Sequence, residues 1–229
     1  MKPRKKIWEF IDNGDVEKLL HKAAVLHGHY CPGLALGVKG SYELVKRLDL
    51  RSDGMEDVLA VVETNNCSSD GVQFVTGCSF GNNSLIFRDL GKTAFTLTDR
   101  DEEGLRARVR NDASEHWNDK VNDFSDLFEK VVTKREGDGE DKEKLLTISE
   151  KASIAVIHTD PDKIFEFEEA EVEIPEYAPI HESYICDECG EKVMATRTIE
   201  RDGHVFCLDC SRSDYSELTG FGITKVSGN

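Results

Sequence analysis

The sequence predicts an α+β fold, with a core of helices and a small β-sheet over residues 1–175 and a linker plus zinc-ribbon-like module over residues 176–229. Three observations carry this. Four of the seven cysteines form the pairs Cys186-x2-Cys189 and Cys207-x2-Cys210 with β-type segments between them. Upstream, apolar residues recur at helical spacing over long stretches. Short runs of consecutive apolar residues lie between those stretches, as in buried strands.

The first stretch, residues 7–27, reads as one amphipathic helix with Ile7, Phe10, Ile11, Val16, Leu19, Leu20 and Ala23 on its inner side. A second helix starts at Pro32, whose ring suits the first helical position, and runs to about Leu48 with Cys31 as its cap. Leu59–Glu63 is a buried strand, and Ser68–Thr76 a short helix that Ser68 or Ser69 would cap. Leu85–Phe87 and Ala94–Leu97 read as a hairpin around Leu90-Gly91-Lys92. From Asp99 to about Arg135 the sequence is highly charged and reads as helical. Gly137–Asp141 is a solvated turn before a helix to about His158, and Ile164–Ile174 alternates as a strand. Pro175–Pro179 begins the linker.

In the C-terminal module, seventeen residues separate the two Cys-x2-Cys pairs. Each pair presents two thiolates on one side of a tight knuckle, and two knuckles make the four-sulfur tetrahedron that zinc prefers. Val193–Ile199 reads as a strand, Asp202-Gly203 as a hairpin turn and His204–Phe206 as the returning strand. About forty-five residues cannot bury enough apolar surface to fold alone, so a structural zinc supplies the stability. A redox dithiol pair is the competing reading.

A formal charge of −16 over 229 residues weighs against nucleic acid as a partner. Lys192, Arg197, Arg201 and Arg212 are the only candidates for a basic patch, and acids interrupt them. No run of eighteen apolar residues is present, so no membrane span is expected. The start, Met1–Lys6, is basic but lacks a following secretory h-region, and a cytoplasmic location is expected.

The other three cysteines fall in the first hundred residues. His27, His29 and Cys31 alternate, and an extended chain before Pro32 would point all three to one side. Such a row suits a metal held by two nitrogens and a sulfur, or a nucleophile beside a base. Cys31 at a helix start is biased toward thiolate. Cys67 repeats the arrangement after a strand and a turn, where α/β folds place ligands, and so completes the candidate site. Cys31 and Cys67 are the candidates for any catalytic thiol. Cys78 reads as a packed apolar residue. Taken singly, each histidine or buried cysteine is more often structural; the combination points to a site. Glu63 and Asp70 read as solvated in preference to orienting an imidazole. His21, His116, His158, His181 and His204 lack partners at useful spacing.

His27-Gly28-His29-Tyr30-Cys31-Pro32-Gly33 together with Glu63-Thr64-Asn65-Asn66-Cys67-Ser68-Ser69-Asp70 and the segment to Asn82 resembles the FmdE family of formylmethanofuran dehydrogenase proteins. The four-cysteine module resembles the TraR/DksA type of zinc finger. The resemblance implies an α+β core, homodimers, and a histidine/cysteine metal site. It also implies association with a molybdenum or tungsten formylmethanofuran dehydrogenase of methanogenesis-related chemistry. The chain lacks the cysteine runs of an iron–sulfur electron carrier.

Two function classes follow. In one, the chain is a metal-binding accessory or catalytic protein, with His27, His29 and Cys67 holding a second divalent metal; thiolate and imidazole suit zinc best, with iron, nickel and copper also compatible. In the other, it is a regulatory adaptor whose finger docks on a protein partner. Whether the chain is an enzyme, and on what substrate, is left open by the sequence.

Overall fold

The computed structural model describes residues 3–101, 103–118, 121 and 123–228. Of the expected elements, Met1 and Lys2 of the basic start and Glu102, Asp119, Lys120 and Asn122 of the charged stretch lie outside the described residues. The chain divides into two compact units, Met1–Pro175 and Glu176–Asn229.

The first unit begins with two helices where the apolar pattern alone suggested one. α1 spans Lys5–Asn13 and α2 spans Val16–His27. Gly14 breaks them: at φ 73° its N–H turns back to the Ile11 and Phe10 carbonyls, a glycine stop that the hydrophobic periodicity runs straight through. α3, Pro32–Leu48, starts where proline predicts, with Cys31 in extended geometry and its sulfur accepting the Leu34 N–H at 3.3 Å. β1, Val58–Val62, is buried at every position. α4, Cys67–Thr76, is capped by Asn66 Oδ1 on Ser68 N–H (2.9 Å), so the cap lies before either serine. At its other end the Arg4 guanidinium donates to the carbonyls of Phe74 (3.0 Å) and Val75 (2.6 Å).

A 3-10 turn over Phe80–Asn82 precedes β2, Leu85–Phe87, and β3, Ala94–Asp99. These two do not form a hairpin. β2 runs parallel to β1 (Ala60 opposite Leu85) and β3 antiparallel to it (Ala60 opposite Leu97). The all-apolar β1 takes the position between them, and the Leu90-Gly91-Lys92 loop crosses its end, with Leu90 and Lys92 N–H donating to Glu63 O. The charged stretch after Asp99 is likewise no helix at first. β4, Glu103–Val109, pairs with β3 and with β5, Phe165–Glu171, giving the sheet order β2-β1-β3-β4-β5. The charge misled because Arg106 and Arg108 stand on one strand face opposite Glu168 and Glu166, while Leu105, Ala107 and Val109 alternate onto the core side. Short helices α5 (Glu115–Asn118) and α6 (Phe124–Phe128) and a π turn over Glu129–Thr133 lead to α7, Gly139–His158, which begins with an Asp138/Asp141 capping box. α8, Pro161–Ile164, turns the chain into β5.

Leu19 and Leu20 of α2, Leu34 and Val38 of α3, and Phe95 and Phe165 of the sheet are almost fully buried in one core. The α3–α4 contact within it is unusually close. A Cβ on Gly37 would lie 2.0 Å from the Ser68 carbonyl oxygen, and one on Gly71 would lie 2.6 Å from Val38 N. Backbone therefore packs on backbone, which only glycine permits.

In the second unit β6 (Ser183–Ile185) pairs with β7 (Lys192–Met194), and β8 (Thr198–Arg201) with β9 (His204–Cys207). The strand expected over 193–199 is interrupted by a 3-10 turn at Ala195–Arg197. Asp202 and Gly203, both at positive φ, make the tight turn expected there. A further hairpin, β10 (Tyr215–Thr219) with β11 (Gly222–Val226), follows the last cysteine.

Candidate metal centre

Among the described residues, two groups of four side chains bring potential ligand atoms within 4.8 Å of one another: Cys186, Cys189, Cys207 and Cys210; and His27, His29, Cys31 and Cys67.

The four-cysteine group is built from two similar knuckles. Gly190 N–H bonds the Cys186 carbonyl and Ser211 N–H the Cys207 carbonyl, each at 2.9 Å. Backbone N–H groups also point at sulfur: Cys207 N–H at Cys186 Sγ (3.4 Å) and Cys210 N–H at Cys207 Sγ (3.2 Å). Amides of Cys189 and Cys207 lower the Cys186 thiol to about 6. His204 is turned away to Asp187, 3.3 Å from its carboxylate, as a strand residue would be. Four thiolates so arranged suggest structural zinc.

The core group assembles differently from the extended row that alternation suggested. His27 closes α2, Gly28 reverses the chain at φ 92°, and Cys31 caps α3. The turn, not a strand, brings His27 Nε2 to 3.8 Å from Cys31 Sγ and the two histidine rings to 4.4 Å between centroids. Cys67 arrives from α4. With no side chain at Gly33, the Cys67 Cβ lies 3.1 Å from where a Cβ there would stand, and the Gly37–Gly71 contact holds both helix starts together.

Asp70 is one turn beyond Cys67, and its Oδ2 lies 2.7 Å from His27 Nδ1. The expectation of a solvated Asp70 is thus corrected: the carboxylate fixes the ring so that Nε2 faces the thiols, as for metal-binding histidines. Its other oxygen accepts from Gln73 Nε2 at 3.3 Å. The signal was present in sequence, since Asp70 follows Cys67 by three and so shares its helix face. Glu63 is not solvated either. It is buried and held bidentately by Arg106, 2.5 Å and 2.8 Å, which lowers its carboxyl despite burial, and it takes no part in the site.

The two core thiols share a hydrogen bond that splits them. Cys67 is lowered to about 5, first by that bond from Cys31 and then by the His27 imidazole, against the effect of burial. Cys31 is pushed up, by the same bond and by burial. Two adjacent thiolates would repel, so the pair keeps one proton on Cys31. Cys78 is fully buried, donates to the Val58 carbonyl at 3.3 Å and is pushed up to about 11, the packed residue expected. His21 Nδ1 meets Tyr30 OH at 2.9 Å and His158 meets Glu17 at 3.1 Å, partners that sequence reasoning did not find. Beside the core cluster opens a cavity of about 350 Å³, with His27, Cys67 and Asp70 on one side and Val62, Phe80, Leu85 and Phe87 on another.

Comparison with known proteins agrees with this architecture. Residues 182–215 match the prokaryotic dksA/traR C4-type zinc finger. A protein of Archaeoglobus fulgidus named "Probable S-adenosyl-L-methionine-binding protein" is 42% identical over 216 residues, covering 92% of this chain; the chain spans 57% of that protein's length. A solved tungsten formylmethanofuran dehydrogenase FmdE-like protein from Syntrophus aciditrophicus shares the fold at a TM-score of 0.56 and 21% identity, covering 86% of this chain and 91% of the other. Residues 26–166 match the family described as "FmdE, Molybdenum formylmethanofuran dehydrogenase operon", and those residues carry the His27–Cys67 cluster and most of the five-stranded sheet: the chain belongs to the FmdE family.

Proposed function

We propose that this chain is a metal-binding accessory protein whose FmdE core holds a divalent transition metal, zinc first, through His27, His29, Cys31 and Cys67, with a second, structural zinc in the finger. One observation carries the reading: four soft or borderline donor atoms lie within 4.8 Å of one another, with His27 oriented by Asp70. Adding Cys31 to the ligands expected from sequence completes a four-donor set. The metal would supply a Lewis-acid centre, and the chain's part is to fix its ligands and present the adjoining cavity.

Metal analysis of the full chain tests this. About two equivalents are expected for the wild type and about one for Cys67→Ala, with the finger still loaded. Equal metal content in the two proteins refutes the core site. Homodimerisation and association with a molybdenum or tungsten formylmethanofuran dehydrogenase-type enzyme belong to the same proposal, tested by light scattering and by co-purification with that enzyme. S-adenosyl-L-methionine, from the longer relative's name, comes to this chain as a candidate small molecule that calorimetry can accept or reject.

A further inference from the structure

The core cluster contains two thiols with unequal access. Cys31 and Cys67 are both free, share a hydrogen bond, and have their sulfurs within 4.8 Å of each other. Each sits at a helix start, Cys31 capping α3 and Cys67 opening α4, and the Gly37–Gly71 contact keeps those starts together. Both sulfurs lie 3.8 Å from where a Cβ on Gly33 would stand, so they share the space that this glycine leaves open.

Among the described residues, Cys67 lines the adjoining cavity and Cys31 does not. The Cys31 sulfur is turned instead to Leu34 N–H at 3.3 Å and His27 Nε2 at 3.8 Å. Beside its apolar wall the cavity carries the neutral side chains of Thr64, Asn65, Asn66, Ser69 and Gln73. No lysine or arginine lines it among the described residues, and its carboxylate, Asp70, is engaged by His27 and Gln73. About 350 Å³ lined in this way favours a small, uncharged reagent that both donates and accepts hydrogen bonds. An accessible cysteine with a second thiol directly behind it is the arrangement of a reversible oxidation site.

We propose that Cys67 is a site of oxidation by small hydroperoxides, resolved by Cys31 into a Cys31–Cys67 disulfide that releases the core metal. The oxidation stands on the thiol pair alone, while the release rests on the metal reading above. In the first step the Cys67 sulfur bonds to one peroxide oxygen and the O–O bond breaks; the other oxygen takes the thiol proton and leaves as water or an alcohol. In the second, the Cys31 sulfur attacks the resulting sulfenic acid, whose hydroxyl leaves with the Cys31 proton as water. The two sulfurs together lose two electrons, and the peroxide gains them. Where a metal occupies the cluster, it leaves in place of the thiol protons, which solvent supplies. A disulfide offers no thiolate, so two of the four ligands are gone.

The test treats the zinc-loaded full chain with hydrogen peroxide, blocks remaining thiols with iodoacetamide and digests without reductant, following peptides and released zinc together. A Cys31–Cys67 linked peptide is expected, with about one of the two equivalents of metal released in step with it. Dithiothreitol and zinc should reverse both. Cys31→Ser should give no link and leave Cys67 as a sulfenic acid that dimedone captures, whereas Cys67→Ser should leave Cys31 unlabelled at the same dose. Wild-type protein with no Cys31–Cys67 link, or with links confined to the four finger cysteines, overturns the proposal. Dimedone on Cys31 in Cys67→Ser overturns the division of roles. A complete link with the core metal still bound overturns the release. A reduced chain that carries only the finger's metal and still forms the link overturns the metal reading and leaves the oxidation site standing.

Discussion

Gly37→Ala is the sharpest probe of how the core site is held. The added Cβ would stand 2.0 Å from the Ser68 carbonyl oxygen, and ordinary contact begins near 3.4 Å, so α3 and α4 must separate by about 1.4 Å. Neither atom can swing aside, because both belong to helix backbone. Two effects compete on stability. Alanine gains about 1 kcal/mol of helix propensity over glycine, whereas overpacking a filled core costs about 1–3 kcal/mol and more when backbone must move. With backbone against backbone the upper figure applies, the clash outweighs the gain by about 2 kcal/mol, and at about 2–4 °C per kcal/mol for a chain of this size the melting temperature should fall by about 4–8 °C. The larger effect is on metal. Ser68 adjoins Cys67, and Gly37 lies on the second turn of the helix that Cys31 caps, so the separation passes to the two sulfurs, while metal sites tolerate only about 0.2 Å in ligand distance. Thermal melting by circular dichroism and metal analysis after dialysis should show a folded chain that keeps its finger zinc and loses the core metal. Gly139→Ala in α7, where a Cβ meets nothing within 4 Å, is the control and should change neither. A Gly37→Ala chain that melts like the wild type and retains the core metal would refute the backbone-contact account.

Asp70→Asn should weaken core metal affinity by about 10–100-fold in competition with a chelator, with finger metal unchanged, because His27 loses the carboxylate on Nδ1; unchanged affinity would mean the bond does not tune the ligand. In metal-free protein, Cys67 should alkylate with iodoacetamide at a rate nearly flat from about pH 9 down to pH 6, since its thiolate persists until pH falls through about 5, where an ordinary thiol would slow by about tenfold per unit once pH is below about 8. Peptide mapping at several pH values reads this, and a steady tenfold decline for Cys67 would contradict the shared-proton pair. Cys189→Ser should remove the finger's metal and expose residues 183–212 to protease while leaving core metal in place; retained protection would contradict zinc-dependent folding.

The elements legible in the sequence were those with a chemical marker at their ends. Pro32 placed the start of α3, and the Cys-x2-Cys spacing marked the finger before any packing was known. Gly14 carried an equally good marker, but the apolar stripe continued across it at helical phase and hid the break. β4 was unreadable for another reason: Arg106 and Arg108 look like a helix surface until their partners Glu168 and Glu166, about sixty residues away, are aligned on β5. The order of β1, β2 and β3 was hidden as well, since nothing local says that a strand will be inserted between two neighbours in the chain. At the site, residue types and the helix-start position of Cys31 were enough to nominate the four candidate residues. Their geometry was not, because it depends on the Gly28 reversal and on a helix contact between Gly37 and Gly71 that no periodicity announces.

The clasp that Arg4 makes on the last carbonyls of α4 has a practical consequence for handling this protein. α4 is anchored at one end by Asn66 and at the other by the Arg4 side chain, so its position against α3 depends partly on Arg4. An affinity tag, a protease scar or a short trim before Lys5 is ordinarily regarded as innocuous. Here a trim that removes Arg4 acts on the far end of the helix whose near end presents Cys67. Metal stoichiometries measured on N-terminally altered protein should therefore be read beside those from protein fused only at the C-terminus, and a difference between the two traced to Arg4 before it is ascribed to the ligands.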